Sequence, residues 1–292
     1  MKNFILRVFG MFERAIFRIY EPSVIRKIGG FDLKMPYSHN LLFYLNTSPY
    51  YDRVLPRICN LLQKERGKLK IIDVGANVGD TVALIFQKAN ADFLCIDGAD
   101  KYFKYLLENA KQFDGHVFCE KVFLGKNADL NRLKEVFVNG TARLVENNSN
   151  FSGGVKTVSL DYLLQSKYPD FKKCDLLKID TDGYEYNVVA GALNFLKSSK
   201  PLVFFEFTPS AMKNPISLLD VFYGLGYTEG LFYANTGEAK FVIKLNNRDK
   251  LNSVLSLIDN KNIYYYDVLV VHKRDAAIKK LIFEKEMDFF KK

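Results

Sequence analysis

The middle of the chain alternates between two hydrophobic rhythms. Near-continuous apolar runs at Leu69 to Val74, Asp92 to Asp97, His116 to Phe123, Asp175 to Ile179 and Leu202 to Phe207 read as strands covered on both faces. Between them, helical spacing of apolar residues predicts helices at Thr81 to Lys88, Lys101 to Gln112, Leu160 to Ser166 and Tyr184 to Leu196. Strands alternating with helices imply crossover connections, hence a parallel sheet with helices on both faces. The polar stretch Gly125 to Gly154 has no clear period. After Phe207 the pattern predicts a helix Ile216 to Leu225, a strand near Tyr227 to Tyr233 and a hairpin strand Lys240 to Leu245. A helix Arg248 to Ile258, a strand Ile263 to Val271 and a basic tail helix follow. Tyr264, Tyr265 and Tyr266 read as strand packing rather than a stacking platform for bases.

Residues 1–65, broken by Pro22, Pro36, Pro49 and Pro56, read as a mostly helical and irregular cap outside the core. The expected organisation is therefore a cap over 1–65, an α/β domain over 66–272 and a basic tail helix over 273–292. A chain of 292 residues with 48% hydrophobic content can bury one large core, and no repeat or low-complexity linker divides it.

Cys59, Cys95, Cys119 and Cys174 are 36, 24 and 55 residues apart, a spacing of neither a zinc site nor a small disulfide framework, so they read as thiols of a reducing compartment. The apolar N-terminal stretch is interrupted by Arg7, Glu13, Arg14 and Arg18, which leaves no signal-peptide core and no uncharged run near the ~18 residues of a membrane span. The expectation is a cytoplasmic protein, with the sequon matches at Asn46, Asn139 and Asn150 fortuitous.

The net charge of +9 is unevenly placed: residues 1–30 carry six Lys/Arg and two acids, residues 272–292 seven and four, which leaves +2 for residues 31–271. A nucleic-acid enzyme would place its basic surface around the active face, so no nucleic-acid partner is expected. The basic ends suit solvated helix faces, or peripheral contact with an anionic membrane or glycan-assembly enzymes at the inner membrane face.

Candidate chemistry begins where the first strand runs into Gly75. The dinucleotide fingerprint puts glycine at the first, third and sixth places of this turn, and here those places hold Gly75, Asn77 and Asp80. An Asn side chain stands where a diphosphate would lie and the Asp carboxylate would repel it. A phosphate-binding P-loop is also excluded, because Gly75 and Gly79 are four apart and no Lys follows. The turn suits a positively charged nucleoside without phosphates, with Asp73 and Asp80 as neighbours. S-adenosyl-L-methionine fits that description. Asp97, ending the second strand 22 residues after Gly75, is placed to accept from both ribose hydroxyls. Further on, Asp180 falls at the carboxyl end of its strand, where open α/β sheets bind ligands. Asp182 and Glu185 also read as a capping box opening the helix from Tyr184. Glu206 lies among phenylalanines, where a bare carboxylate would be costly.

The segments IDVGANVGD, TVSLDYLL, LLKIDTDGYE with VVAGALNFL, and PLVFFEF, in this order over Leu69 to Phe207, resemble the FkbM family of S-adenosylmethionine-dependent O-methyltransferases. The resemblance implies the Rossmann-like class I methyltransferase fold: a seven-stranded, mostly parallel sheet with helices on both faces, its last two strands antiparallel. It implies methylation of hydroxyls on sugars or natural products. Carried over by position, Asp73, Gly75, Asn77, Gly79 and Asp97 contact the cofactor, and Asp180, Asp182, Glu185 and Glu206 surround the acceptor. The chain departs from the family where Asp97-Gly98 replaces Glu-Pro and where Asp182 replaces Glu.

Methyl transfer to a hydroxyl needs alignment and removal of a proton. None of His39, His116 and His272 falls in these motifs, so a carboxylate base is expected, Asp180, with Glu206 or Asp182 orienting the sugar or glycan acceptor. The same oxygen-rich cluster leaves Mg²⁺ as an alternative means of acidifying the hydroxyl. Rival readings are an RNA or DNA methyltransferase of the same fold and a non-catalytic S-adenosylmethionine-binding protein.

Overall fold

The computed structural model describes residues 21–126, 133–138, 141–146, 155–212, 215–258 and 264–291. Its first element is a hairpin of β1 (Ser23–Ile28) and β2 (Phe31–Pro36), turned by Gly29 and Gly30 at φ 58° and 93°. Two consecutive positive φ values are the signature of the tight turn whose twist matches paired strands. Helices α1 (Leu41–Thr47) and α2 (Val54–Arg66) follow. This corrects the expected helical cap: Ile28, Leu33, Met35, Ile58, Cys59 and Leu62 are buried in the main core. Residues 1–20, with the N-terminal stretch proposed for membrane contact, lie outside the described residues, as do Asn139 and Asn150.

The α/β alternation then unfolds as β3 (Leu69–Val74), α3 (Asp80–Phe86), β4 (Ala91–Ile96), α4 (Asp100–Ala110) and β5 (Val117–Glu120). The hairpin β7 (Leu133–Val138) with β8 (Thr141–Glu146) lies within the stretch that shows no period in the sequence, and short β6 (Phe123–Leu124) and β9 (Thr157–Val158), paired in parallel, flank it. Next come α5 (Leu160–Ser166), β10 (Leu176–Ile179), α6 (Glu185–Ala190), α7 (Leu193–Ser199) and β11 (Leu202–Phe207). The single helix expected over Tyr184 to Leu196 is thus two. The Asp161 carboxylate accepts from Asn194 N and Phe195 N at 3.0 and 2.8 Å and so starts α7 afresh. The chain closes with α8 (Pro215–Gly224), β12 (Tyr227–Ala234), β13 (Ala239–Lys244), α9 (Arg248–Ile258), β14 (Tyr266–His272) and α10 (Ala276–Phe289).

One sheet runs β13-β12-β14-β11-β10-β3-β4-β5. From β11 to β5 neighbouring strands are parallel, and β14, β12 and β13 are joined antiparallel. This is the class I methyltransferase order, widened to eight strands because β13 hydrogen-bonds to the free edge of β12. Two apolar layers cover the sheet, one including α2, α3 and α4, the other including α5, α7, α8 and α9. Cys59, Cys95 and Cys174 are buried thiols and Cys119 is half-buried.

The C-terminal helix α10 is docked on the core. Ile282 and Phe283 are buried, and Arg57 makes three hydrogen bonds of 2.7 to 3.2 Å to Glu286, itself only 2% exposed. Among the described residues no helix is long and apolar enough to cross a membrane.

Candidate active site

Acids collect at the edge of the sheet where the parallel strands end. Asp73 sits in β3, Asp97 follows β4, Asp180 follows β10 and Glu206 lies in β11. β14 runs the other way, so its beginning falls at the same edge and sets Asp267 opposite Glu206.

The glycine turn is fixed by this convergence. Gly75 has φ 79°, and a Cβ there would lie 1.8 Å from the Asp180 carbonyl oxygen, so only glycine lets β3 and β10 close so tightly. Asp180 N donates to Val74 O at 3.0 Å. Asn77, at φ 49°, donates its N–H to Asp97 Oδ2 at 2.9 Å, while Ala99 N–H donates to Asp97 Oδ1 at 2.8 Å. His39, from the segment after β2, lies with Nε2 3.2 Å from Asn77 Oδ1. Its Nδ1 accepts from Leu41 N, which leaves the Nε2 proton to be donated to Asn77. Burial holds His39 below its ordinary value and keeps the ring neutral.

Beneath the turn, Lys178 of β10 is buried with its ammonium 3.1 Å from Asp73 Oδ1 and 3.3 Å from Asp180 Oδ2. The contact with Asp73 is an ion pair off hydrogen-bond alignment, and Asp73 Oδ2 has no hydrogen-bond partner. Burial disfavours the Lys178 charge, yet Asp73, Asp180 and Asp80 together outweigh it and push its pKa up.

Three adjoining cavities surround this assembly. A slot of about 400 Å³ is lined by Ile96, Gly98, Phe123, Leu124, Leu144 and Tyr184 beside Asp97. A Cβ on Gly98 would stand 2.3 Å from Phe123 Cγ, so the glycine admits the phenylalanine ring. A polar cleft of about 720 Å³, open to solvent, holds Gly75, Asn77, Asp80, Asp97, Asp182 and Thr141. A third pocket of about 560 Å³ holds Tyr51, Asp52, Phe204, Glu206, Tyr265 and Asp267. Among the described residues Asp180 alone lines all three, and Lys178 is the only lysine or arginine lining any of them.

Seven carboxyls here are held above the ordinary range. Burial, reinforced by neighbouring acids, raises Asp97 and Asp182 to about 6 and Asp267 to about 8. It raises Asp52, Asp73, Asp80 and Glu206 as well, for the same reasons.

Of the residues the sequence singled out, Asn77, Gly75, Asp80 and Asp97 share the polar cleft with Asp180 and Asp182, and Glu206 lies in the third pocket. Asp73 and Gly79 line none of these three cavities: Asp73 is fully buried in β3, and Gly79, at φ 86°, opens α3. The capping-box reading of Asp182 is corrected. Asp182, at φ 52°, lies outside the helix and accepts from the Thr141 hydroxyl. Glu185 Oε1 instead accepts from Thr181 N, Thr181 Oγ1 and Gly183 N at 2.9, 2.9 and 3.1 Å and holds the turn itself, with burial raising its pKa to about 7. Tyr266 is buried packing, as expected, whereas Tyr265 faces the third pocket. Sequence reasoning missed Lys178, Tyr51, Asp52, Tyr265 and Asp267. Lys178 and Asp267 carried a signal, a charge within or opening an apolar strand; Tyr51 and Asp52, in a loop, carried none.

The donor set tests which groups fit. Among the described residues no three His, Cys, Asp or Glu converge to form a metal cage. A nucleoside diphosphate would meet seven carboxyls and no free base in the lining. A cationic nucleoside fits: an apolar slot for a flat ring, a carboxylate beside it, then an acidic cleft.

A profile of the methyltransferase FkbM domain matches residues 73–227, 155 of 292. Solved structures similar to this chain include a methyltransferase FkbM from Methylobacillus flagellatus, 16% identical over 54% of this chain and 36% of that one, TM-score 0.37. A precorrin-6y C5,15-methyltransferase from Geobacter metallireducens is 10% identical over 73% and 85%, TM-score 0.38. A TehB-like S-adenosylmethionine-dependent methyltransferase from Corynebacterium glutamicum is 13% identical over 81% and 98%, TM-score 0.39. This chain spans about a third of the Methylobacillus protein's length. No curated protein matches the sequence.

Proposed function

We propose, from the premise that this chain belongs to the FkbM family of S-adenosylmethionine-dependent methyltransferases, that it methylates a hydroxyl of a sugar or glycan, with Asp180 as the base. The position of Asp180 carries this reading: it stands where the nucleoside slot, the polar cleft and the third pocket meet. When bound, S-adenosylmethionine supplies an electrophilic methyl group on a sulfonium.

The chain's own residues then have separate tasks. The slot of Phe123 and Tyr184 takes the flat ring, and Asp97, whose two oxygens each already accept one backbone N–H, uses its remaining lone pairs for the ribose. Gly75, Asn77 and Asp80 border the amino-acid portion. Lys178, anchored on Asp73, holds Asp180 by its Oδ2. Asp180 takes the acceptor's proton as the new bond to oxygen forms, while Asp182 and Glu206 orient the ring hydroxyls from two sides.

The test is Asp180→Asn. Methyl transfer from labelled cofactor to a glycan panel should fall by ~10²–10⁴, as for loss of a general base. Calorimetric affinity for S-adenosylhomocysteine should stay within a few-fold. Equal loss of binding and turnover would place Asp180 with the cofactor and remove it as the base.

A further inference from the structure

The third pocket has a composition that hydroxyl methylation alone does not require. Its floor is apolar, from Leu55, Leu84 and Phe204, and its walls carry the carboxyls of Asp52, Glu206 and Asp267 with the rings of Tyr51 and Tyr265. Glu206 faces Asp267 across the β11–β14 register, and its Oε2 is shielded from solvent with no hydrogen-bond partner. The one basic side chain in the lining, Lys178, is already paired with Asp73 and Asp180. A neutral sugar asks for donors and acceptors in balance. Three carboxyls without a spare cation are balanced either by protons they hold themselves or by a ligand that brings positive charge, and the ligand spares them the protons. No three acids of the described residues converge on one point, as an all-protein metal cage requires. An organic ammonium is a good fit. It tolerates wider spacing, donates to several carboxylates and packs against tyrosine faces.

We propose that this pocket is an ammonium subsite and that the acceptor is an aminated sugar, its protonated amine among Asp52, Glu206 and Asp267 while a hydroxyl reaches Asp180. The assignment rests on the methyltransferase reading and narrows its substrate class. It also predicts a proton count. Asp267, raised to about 8, holds a proton in the free protein at pH 7, and an arriving cation displaces it; Glu206, opposite it, is raised by burial in the same sense.

The full-length protein saturated with S-adenosylhomocysteine is titrated calorimetrically at pH 7 with glucosamine, N-acetylglucosamine and glucose, each in two buffers of different ionisation enthalpy. Glucosamine should bind at least tenfold more tightly than the other two, with net proton release. Glu206→Gln and Asp267→Asn should each weaken glucosamine tenfold or more and leave S-adenosylhomocysteine affinity unchanged, which also verifies their folding. Equal affinity for the three sugars, or no glucosamine binding, would overturn the assignment. A matching loss of S-adenosylhomocysteine affinity in both variants would also overturn it, by showing that these acids read the cofactor's own ammonium. Failure of the wild-type protein to bind S-adenosylhomocysteine would instead bring down the methyltransferase reading beneath it.

Discussion

Replacing Lys178 with methionine keeps the apolar stem and removes the ammonium 3.1 Å from Asp73 Oδ1. Asp73 has no solvent exposure, and its second oxygen has no hydrogen-bond partner. In the variant it must stay ionised and unpaired, which costs several kcal/mol, or take up a proton. Protonation is cheaper. With an unfolded pKa of about 3.9, holding that proton costs about 1.36 kcal/mol per pH unit above it, ~4 kcal/mol at pH 7 and ~1.5 kcal/mol at pH 5. These are ceilings, because burial already outweighs Lys178 and raises the Asp73 pKa in the native protein. A carboxyl with a raised folded pKa lends its full stability below the unfolded value and loses it as pH climbs toward the folded one. Removing the lysine lifts the folded value further, so the deficit grows with pH. Urea denaturation should show Lys178→Met less stable by about 2–4 kcal/mol at pH 7, with the deficit reduced by more than half at pH 5. Adding Asp73→Asn should recover most of the loss. A deficit equal at both pH values, and untouched by the second change, would refute the account of Lys178 as partner to a buried acid.

The remaining predictions touch other parts of the molecule. Gly98→Ala puts a methyl 2.3 Å from Phe123 Cγ and should weaken S-adenosylhomocysteine at least tenfold by calorimetry; unchanged affinity would mean the slot does not hold the cofactor's ring. Arg57→Met strips the buried Glu286 of its three hydrogen bonds and should cost about 3 kcal/mol in urea, with earlier proteolysis in α10. Asp97 and Asp182, at about 6, and Asp267, at about 8, bind protons more tightly folded than unfolded, so melting temperature without ligand should fall from pH 6 to pH 8 in buffers of matched ionic strength. A rise over that interval would show these acids to be better stabilised as anions than their burial implies.

Sequence reading reaches the centre of this protein because β3, β4, β10 and β11 are covered on both faces. In such strands each acid stands out against an apolar run, and Asp73, Asp97, Asp180 and Glu206 are all of that kind. Lys178 breaks its strand equally plainly, but periodicity does not say whether a lysine is anchored below or reaches out to solvent. The β1–β2 hairpin is announced by Gly29-Gly30 between alternating residues, a signal outweighed by the prolines around it. The β7–β8 hairpin, which brings Thr141 to Asp182, has too short and polar a pattern to be legible.

Tyr51 and Asp52 are a different matter, because nothing local marks a loop whose role is conferred by what it folds against. Asp267 is instructive in a third way. Its strand enters the sheet reversed, so an acid at the beginning of β14 arrives beside acids at the ends of parallel strands, and topology rather than spacing makes them neighbours. The outcome is an electrostatic asymmetry: Asp73 and seven cavity-lining carboxyls against one lysine. Protons offset part of it in the free protein, at the expense of stability as pH rises. A sulfonium nucleoside in the cleft and an ammonium in the third pocket would offset it without those protons, so cofactor and acceptor should each bind more tightly as these acids ionise.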